Sequence, residues 1–262
     1  MTTQTSYKHG KFSWIELNTT DASSAKRFYA GLLGWAFDDR PAGPGMTYSL
    51  AKLGDRVVGG LFEMTKEMAA HAPSHWASFI AVNDVDATAK KAVECGGKLI
   101  DAPFDVMDLG RMAVLADPTG AIIRLWTARK RIGADVTNEI GALCWNELYA
   151  TDVDSARKFY ESVIGWQTDA VDMGPMGTYT LLKVPGDPKN VGGLMPMPPG
   201  MKGAPSHWLV YIEVEDCDAS TKKAIELGGR TLMAPMDIPN TGRFSIVQDP
   251  TGAAFALYKN SH

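Results

Sequence analysis

The feature that most restricts how this chain can fold is that much of its sequence is written twice. Trp14-Ile15-Glu16-Leu17 returns as Trp145-Asn146-Glu147-Leu148, and Lys26-Arg27-Phe28-Tyr29 with Gly34-Trp35 returns as Arg157-Lys158-Phe159-Tyr160 with Gly165-Trp166, at an offset of 131 residues. Further along the offset becomes 132: Pro73-Ser74-His75-Trp76 returns as Pro205-Ser206-His207-Trp208, Gly96-Gly97 as Gly228-Gly229, Gly110-Arg111 as Gly242-Arg243, and Asp117-Pro118-Thr119-Gly120 as Asp249-Pro250-Thr251-Gly252. Solenoid repeats run to about 20–50 residues, so a period this long is a duplicated domain. The junction is expected between Arg129 and Asn138, giving domains 1–130 and 131–262.

Within the first repeat the apolar pattern changes period. Residues 12–18 alternate, with Phe12, Trp14, Glu16 and Asn18 on one face and Ser13, Ile15 and Leu17 on the other, which predicts a strand. Asp21 can cap a helix carrying Ala25, Phe28, Tyr29, Leu32 and Leu33 at helical spacing and stopping at Gly34. Strand-like segments follow at 46–51 and 57–61, then a loop, a strand at 76–82, and a helix over 84–95 stopped by Gly96-Gly97. A hairpin of 112–116 and 121–126 is turned by Asp-Pro-Thr-Gly, where Pro suits the first central position and Gly takes the positive φ.

Each repeat therefore reads β-α-β-β-β twice. Together with the FYxxxxGW helix, the Gly-Gly helix stop and the DPTG hairpin, in the same order in both halves, this resembles the vicinal oxygen chelate superfamily of glyoxalases, bleomycin-resistance proteins and extradiol dioxygenases. The resemblance covers nearly the whole chain. It implies an α+β fold of tandem domains, each made of two βαβββ modules that form a curled mixed-sheet cup with helices outside.

In metal-dependent members the cup holds a divalent ion on inward His and Glu side chains, leaving open positions for vicinal oxygens of the substrate. The resemblance places the first-strand ligand seven residues before the helix-capping Asp, at Trp14 and Trp145, and the last-strand ligand seven residues after the turn Asp, at Arg124 and Ala256. The strand opening the second module offers Ala77 and Leu209. An indole nitrogen only donates, and neither a guanidinium nor a methyl group ligates a cation. No metal or other cofactor is therefore expected.

Glu16 and Glu147 share the inward face with the tryptophans. Each is either a general base or ligand anchor, or a structural acid satisfied by backbone or by Arg124, Arg111 or Arg243. His75 and His207 are the histidines that repeat. They act as acid–base groups near neutral pH or as residual metal ligands, or they bond a loop carbonyl and hold the Pro-Ser-His turn in shape. Trp14, Trp145, Trp76, Trp208, Tyr48 and Tyr179 give each half an aromatic set that either packs a core or walls a ligand site, with Arg124 as a donor to an acidic ligand in the first cup. Residues 64–72 and 195–203, rich in Met, Pro and Gly, read as a lid or a plain connection. Gly59-Gly60 and Gly192-Gly193 mark places where a strand bends or admits something closely.

A net charge of −4 with no concentrated basic face argues against nucleic acid. The basic run Arg129-Lys130-Arg131 is read as a solvated tether. No apolar stretch reaches the roughly 20 residues a membrane helix needs, and the first residues lack a signal-peptide core, so a cytoplasmic protein is expected. Cys95, Cys144 and Cys217 fall at unrelated positions and suggest neither disulfides nor a thiolate site. The partner expected is a small apolar or aromatic molecule, with the two domains paired within the chain, as monomer or homodimer. Two functions compete: a metal-free binding protein of the bleomycin-resistance kind, and a lyase, isomerase, hydroxylase or dioxygenase-type enzyme using the Glu and His residues, without metal or with a non-standard site. A purely structural role would leave the inward carboxylates without explanation.

Overall fold

In a computed structural model, residues 3–174, 177–201 and 203–261 are described. The first half contains β1 (Phe12–Thr19), α1 (Ala22–Leu33), β2 (Ala36–Gly43), β3 (Met46–Leu53), β4 (Arg56–Glu63), α2 (Lys66–His71), β5 (His75–Ala81), α3 (Val85–Glu94), β6 (Lys98–Val106), β7 (Gly110–Ala116) and β8 (Ile122–Ala128). The second half contains β9 (Leu143–Ala150), α4 (Val153–Val163), β10 (Gln167–Asp172), β11 (Thr178–Lys183), β12 (Asn190–Pro196), β13 (His207–Glu213), α5 (Cys217–Glu226), β14 (Arg230–Ile238), β15 (Gly242–Gln248) and β16 (Ala254–Asn260). Each half forms one eight-stranded mixed sheet, ordered β2-β3-β4-β1-β5-β8-β7-β6 and β10-β11-β12-β9-β13-β16-β15-β14. The first strands of the two modules, β1 with β5 and β9 with β13, pair antiparallel at the centre. The fold is α+β, as the family resemblance implied.

The helices begin where the sequence places their caps. The Asp21 carboxylate accepts from the Ser24 amide, and Asp84, Asp152 and Asp216 cap their helices in the same way. Gly34 ends α1 at φ 71°, a left-handed conformation that costs glycine little. Among the described residues no helix is long and apolar enough to cross a membrane.

The backs of the two sheets share one core. Phe28, Tyr29, Trp35 and Trp76 of the first half join Phe159, Tyr160, Trp166, Trp208 and Phe255 of the second in a single buried cluster. The contacts are reciprocal: Trp35 Nε1 donates to Gly141 O and Trp166 Nε1 to Gly10 O, each at 2.8 Å. Tyr29 OH donates to Asp249 of the opposite hairpin turn at 2.9 Å, while Tyr160 sits beside Asp117 of the other turn. The helix motif of each half thus meets the DPTG turn of its twin. One expectation for β1 fails here. The pairing of β1 with β5 shifts register between Phe12 and Trp14, and this irregularity turns Phe12 away from Trp14 and Glu16, into the shared core against Trp166 and Trp208.

Candidate functional site

In the first cup, β1 presents Trp14, Glu16 and Asn18 to the concave side. Trp14 Nε1 donates to Tyr48 OH at 3.0 Å, and that hydroxyl donates to Glu16 Oε2 at 2.7 Å. Arg124 on β8 completes the set: it ion-pairs with the other Glu16 oxygen, donates to Asn18 Oδ1 at 3.3 Å and lies over the Phe79 ring, 5.2 Å from its centre. Burial, and then the charge of Glu16, hold the Tyr48 hydroxyl protonated well above the ordinary tyrosine range. The Gly59-Gly60 pair finds its reason here. A Cβ on Gly60 would lie 2.0 Å from Tyr48 OH, so what approaches the backbone closely is this tyrosine.

The segment after β8 folds back onto the same cup. Ala134 N donates to Ser13 O, Asp135 N to Val57 O, and Trp126 Nε1 to Arg131 O. Ala134 is fully buried against Trp14, Val57, Phe79 and Trp126, and the Arg131 guanidinium lies 5.4 Å over the Trp14 ring. The basic run is therefore solvated only in its first two residues. Arg129 and Lys130 pair with Asp105 and Asp108, while Arg131, its side chain 27% exposed, closes on the cup as a strap whose backbone is fixed by hydrogen bonds to β1 and β4.

In the second cup the same frame carries different groups. Trp145 Nε1 donates to Tyr179 OH at 2.9 Å, and Tyr179 OH and Tyr211 OH donate to the two oxygens of Glu147 at 2.7 and 2.8 Å. Tyr149 lies close by. Burial first, then Glu147, raises the pKa of Tyr179, Tyr211 and Tyr149 well above the ordinary range, so all three remain donors at neutral pH. A Cβ on Gly193 would sit 1.8 Å from Tyr179 OH, repeating the arrangement at Gly60. Above this floor opens a cavity of about 880 Å³ lined by Trp145, Met173, Met195, Met233, Met236 and Phe244, among others.

The structure brings Trp14, Glu16, Tyr48 and Arg124 together in one cup and Trp145, Glu147 and Tyr179 in the other. It does not bring Trp76 or Trp208 into either. Both are in the core on the opposite face, donating to Tyr29 OH and Tyr160 OH at 3.0 Å, which corrects their assignment to the cups. Their histidine neighbours face the concave side at the rim, His75 opposite Asn18 and His207 opposite Tyr149. Each ring's Nδ1 lies 2.8–2.9 Å from the carbonyl of Pro73 or Pro205, and burial lowers the pKa of His75. Neither histidine hydrogen-bonds its glutamate. Arg111 and Arg243, alternative partners for the glutamates, instead grip Asp86 with Asp105 and Asp218 with Asp237 at the surface. Residues 66–71 form α2; Met195, Met197 and Pro198 of the matching segment line the second cavity, and its Lys202 lies outside the described residues.

Sequence reasoning missed Tyr149, Tyr211, Phe244 and Tyr258 as cavity residues. The signal was present: Tyr149 lies two residues beyond Glu147, and Tyr211 and Phe244 stand one repeat after Phe79 and Met112.

The residues at the superfamily's ligand positions do not fit a metal ion. Trp14, Trp145, Arg124 and Ala256 occupy them, the Arg124 guanidinium already holds Glu16, and among the described residues no three His, Cys, Asp or Glu side chains converge.

The model of the Glyoxalase/Bleomycin resistance protein/Dioxygenase superfamily matches residues 11–125 and again 140–257. The Mycobacterium tuberculosis protein CFP32, named as a glyoxylase, is 42% identical over 99% of this chain and 98% of its own length. The anthracycline biosynthesis protein DnrV of Streptomyces peucetius is 33% identical over 97% and 94%. Among solved structures, the Mn(II)-bound glyoxalase of Novosphingobium aromaticivorans superposes with a TM-score of 0.67 at 14% identity, covering 96% of this chain and 82% of that one. The 2,2',3-trihydroxybiphenyl 1,2-dioxygenase of Sphingomonas wittichii gives 0.65 at 16%, covering 97% and 91%. These last two share the fold. With the family model matched in both halves and relatives similar along nearly their whole length, the chain belongs to the glyoxalase, bleomycin resistance protein and dioxygenase superfamily.

Proposed function

We propose that the protein binds a small apolar, aromatic molecule in its second cup, without a metal ion. The observation that carries this reading is the cavity of about 880 Å³, within the range of small-molecule sites, walled by aromatic rings and methionines around a single buried carboxylate. Tryptophan and tyrosine rings give flat apolar walls, and methionine side chains adapt to irregular ligand edges. Two relatives are named as anthracycline biosynthesis proteins, which supports a ligand with fused rings. Binding is favoured over acid–base catalysis because the histidine of each cup is held by a proline carbonyl and does not reach the glutamate.

The test is titration of the purified protein with a neutral fused-ring compound, 9-(hydroxymethyl)anthracene, followed by quenching of tryptophan emission. Met233→Trp, which fills the cavity, should weaken binding at least tenfold. Unchanged affinity in that variant would place the ligand elsewhere, and stoichiometric metal in protein purified without chelators would overturn the metal-free part of the reading.

A further inference from the structure

The first cup shows what its scaffold is built to hold. Arg124 ion-pairs with Glu16 while lying over the Phe79 ring, and Arg131 lies over Trp14. A cation over an aromatic face next to a carboxylate is a favourable arrangement, and here the chain supplies that cation itself. The second cup keeps the carboxylate, the tyrosine, the tryptophan and an aromatic ring, carries Tyr149 in place of Asn18, and drops the cation. Glu147 stands for Glu16, Tyr179 for Tyr48, Trp145 for Trp14 and Tyr211 for Phe79, while Ala256 replaces Arg124.

Two further observations point the same way. Among the described residues lining the cavity are two acids, Glu147 and Asp237, and no Lys, Arg or His. Asp237, at the exposed rim, is paired with Arg243; Glu147, 5% exposed, has no cationic partner in the cavity lining. The aromatic donors of the lining are turned to the same carboxylate or to backbone: Trp145 Nε1 donates to Tyr179, Tyr179 and Tyr211 donate to Glu147, the Tyr149 hydroxyl sits against Glu147, and Tyr258 OH donates to the Thr241 carbonyl. An anionic ligand would therefore meet a buried like charge toward which the aromatic donors are already turned. A carboxylate offers about four lone-pair sites, and the tyrosine hydroxyls around Glu147 take at most three, so an ammonium group still finds an acceptor.

Building on the reading of the second cup as a small-molecule site, we propose that its ligand is an organic cation, a protonated amine on an apolar aromatic body, seated where Arg124 lies in the first cup.

Three compounds that share one ring system and differ in one group provide the test at pH 7: 9-(aminomethyl)anthracene as the cation, 9-(hydroxymethyl)anthracene as the neutral form and anthracene-9-carboxylate as the anion. Calorimetric titration should rank cation, neutral, anion, with the cation at least about tenfold tighter than the alcohol, the scale of one cation–aromatic contact with a partly desolvated charge pair. In Glu147→Gln the ratio of cation to alcohol affinity should collapse to about one. In Ala256→Arg, which supplies the first cup's own guanidinium, cation binding should fall at least tenfold, with circular dichroism confirming the fold. Equal affinity for alcohol and cation overturns the proposal while leaving the small-molecule site standing, as does a preference that survives Glu147→Gln. Failure of all three to bind overturns the site and the proposal together.

Discussion

Glu16 and Glu147 occupy the same place on equivalent strands, yet one carboxylate ends on a guanidinium and the other on two phenols. The first cup is closed by its own arginines and by the 131–135 strap, whereas the second opens into a cavity. The backs of the two sheets show no such divergence: each helix motif still meets the other half's turn. The difference follows from what each surface must satisfy. An interface of two similar halves constrains both copies at once, because a change in either tyrosine or turn strands a buried polar group. A cup answers only to its own contents, so one copy can fill while the other stays open.

The largest expected effect tests the filled cup. Arg124→Ala leaves Glu16 buried without its cation, and removing one partner of a buried pair costs about 3 kcal/mol. Urea unfolding should show that loss while affinity for 9-(hydroxymethyl)anthracene stays within twofold. A variant of unchanged stability that loses binding would instead make Arg124 a ligand residue, as its inward position suggested from sequence alone.

Next come the backs. Tyr29→Phe and Tyr160→Phe should each cost about 1–2 kcal/mol, since each leaves a buried indole without its acceptor and takes a phenol from beside a buried aspartate. Chemical denaturation should give similar losses for the two. A marked inequality would break the view that the interface is symmetric where the cups are not.

Alkaline pH has a smaller effect per group. An unfolded tyrosine ionises near 10, whereas burial beside Glu16 or Glu147 raises Tyr48, Tyr179 and Tyr211 well above that. Above pH 10 the unfolded chain sheds protons that the folded chain keeps, so stability falls as pH rises. Phenolate absorbance near 295 nm should lag the free-tyrosine titration and then rise together with loss of circular dichroism. Ionisation of these tyrosines in the folded protein at pH 10 would contradict their placement.

Much of this was legible in residues taken one repeat at a time. Period-two alternation put Trp14 and Glu16 on one face, and the family resemblance identified that face as the cup and placed Arg124 inward on the last strand. Period two also held the clue that failed to be used for Trp76: if His75 faces the cup, its neighbour must face the core. The outer strands β2 and β6 were not read as strands because their side chains are mostly exposed and carry no apolar alternation. Arg131 was out of reach for a different reason. Nothing local distinguishes a basic residue in solvent from one laid over an indole, and only the return of the chain across Ser13 and Val57 brings it there.

In this reading the second cup is the site and the first is occupied by the chain itself. A crystal structure of the protein with 9-(aminomethyl)anthracene tests this most directly. The predicted result is one molecule per chain among Trp145, Tyr211 and Phe244 with its ammonium at Glu147, and the Arg124 pair with Glu16 intact in the first cup. A molecule in the first cup with Arg124 displaced, or one lying outside both, would contradict it.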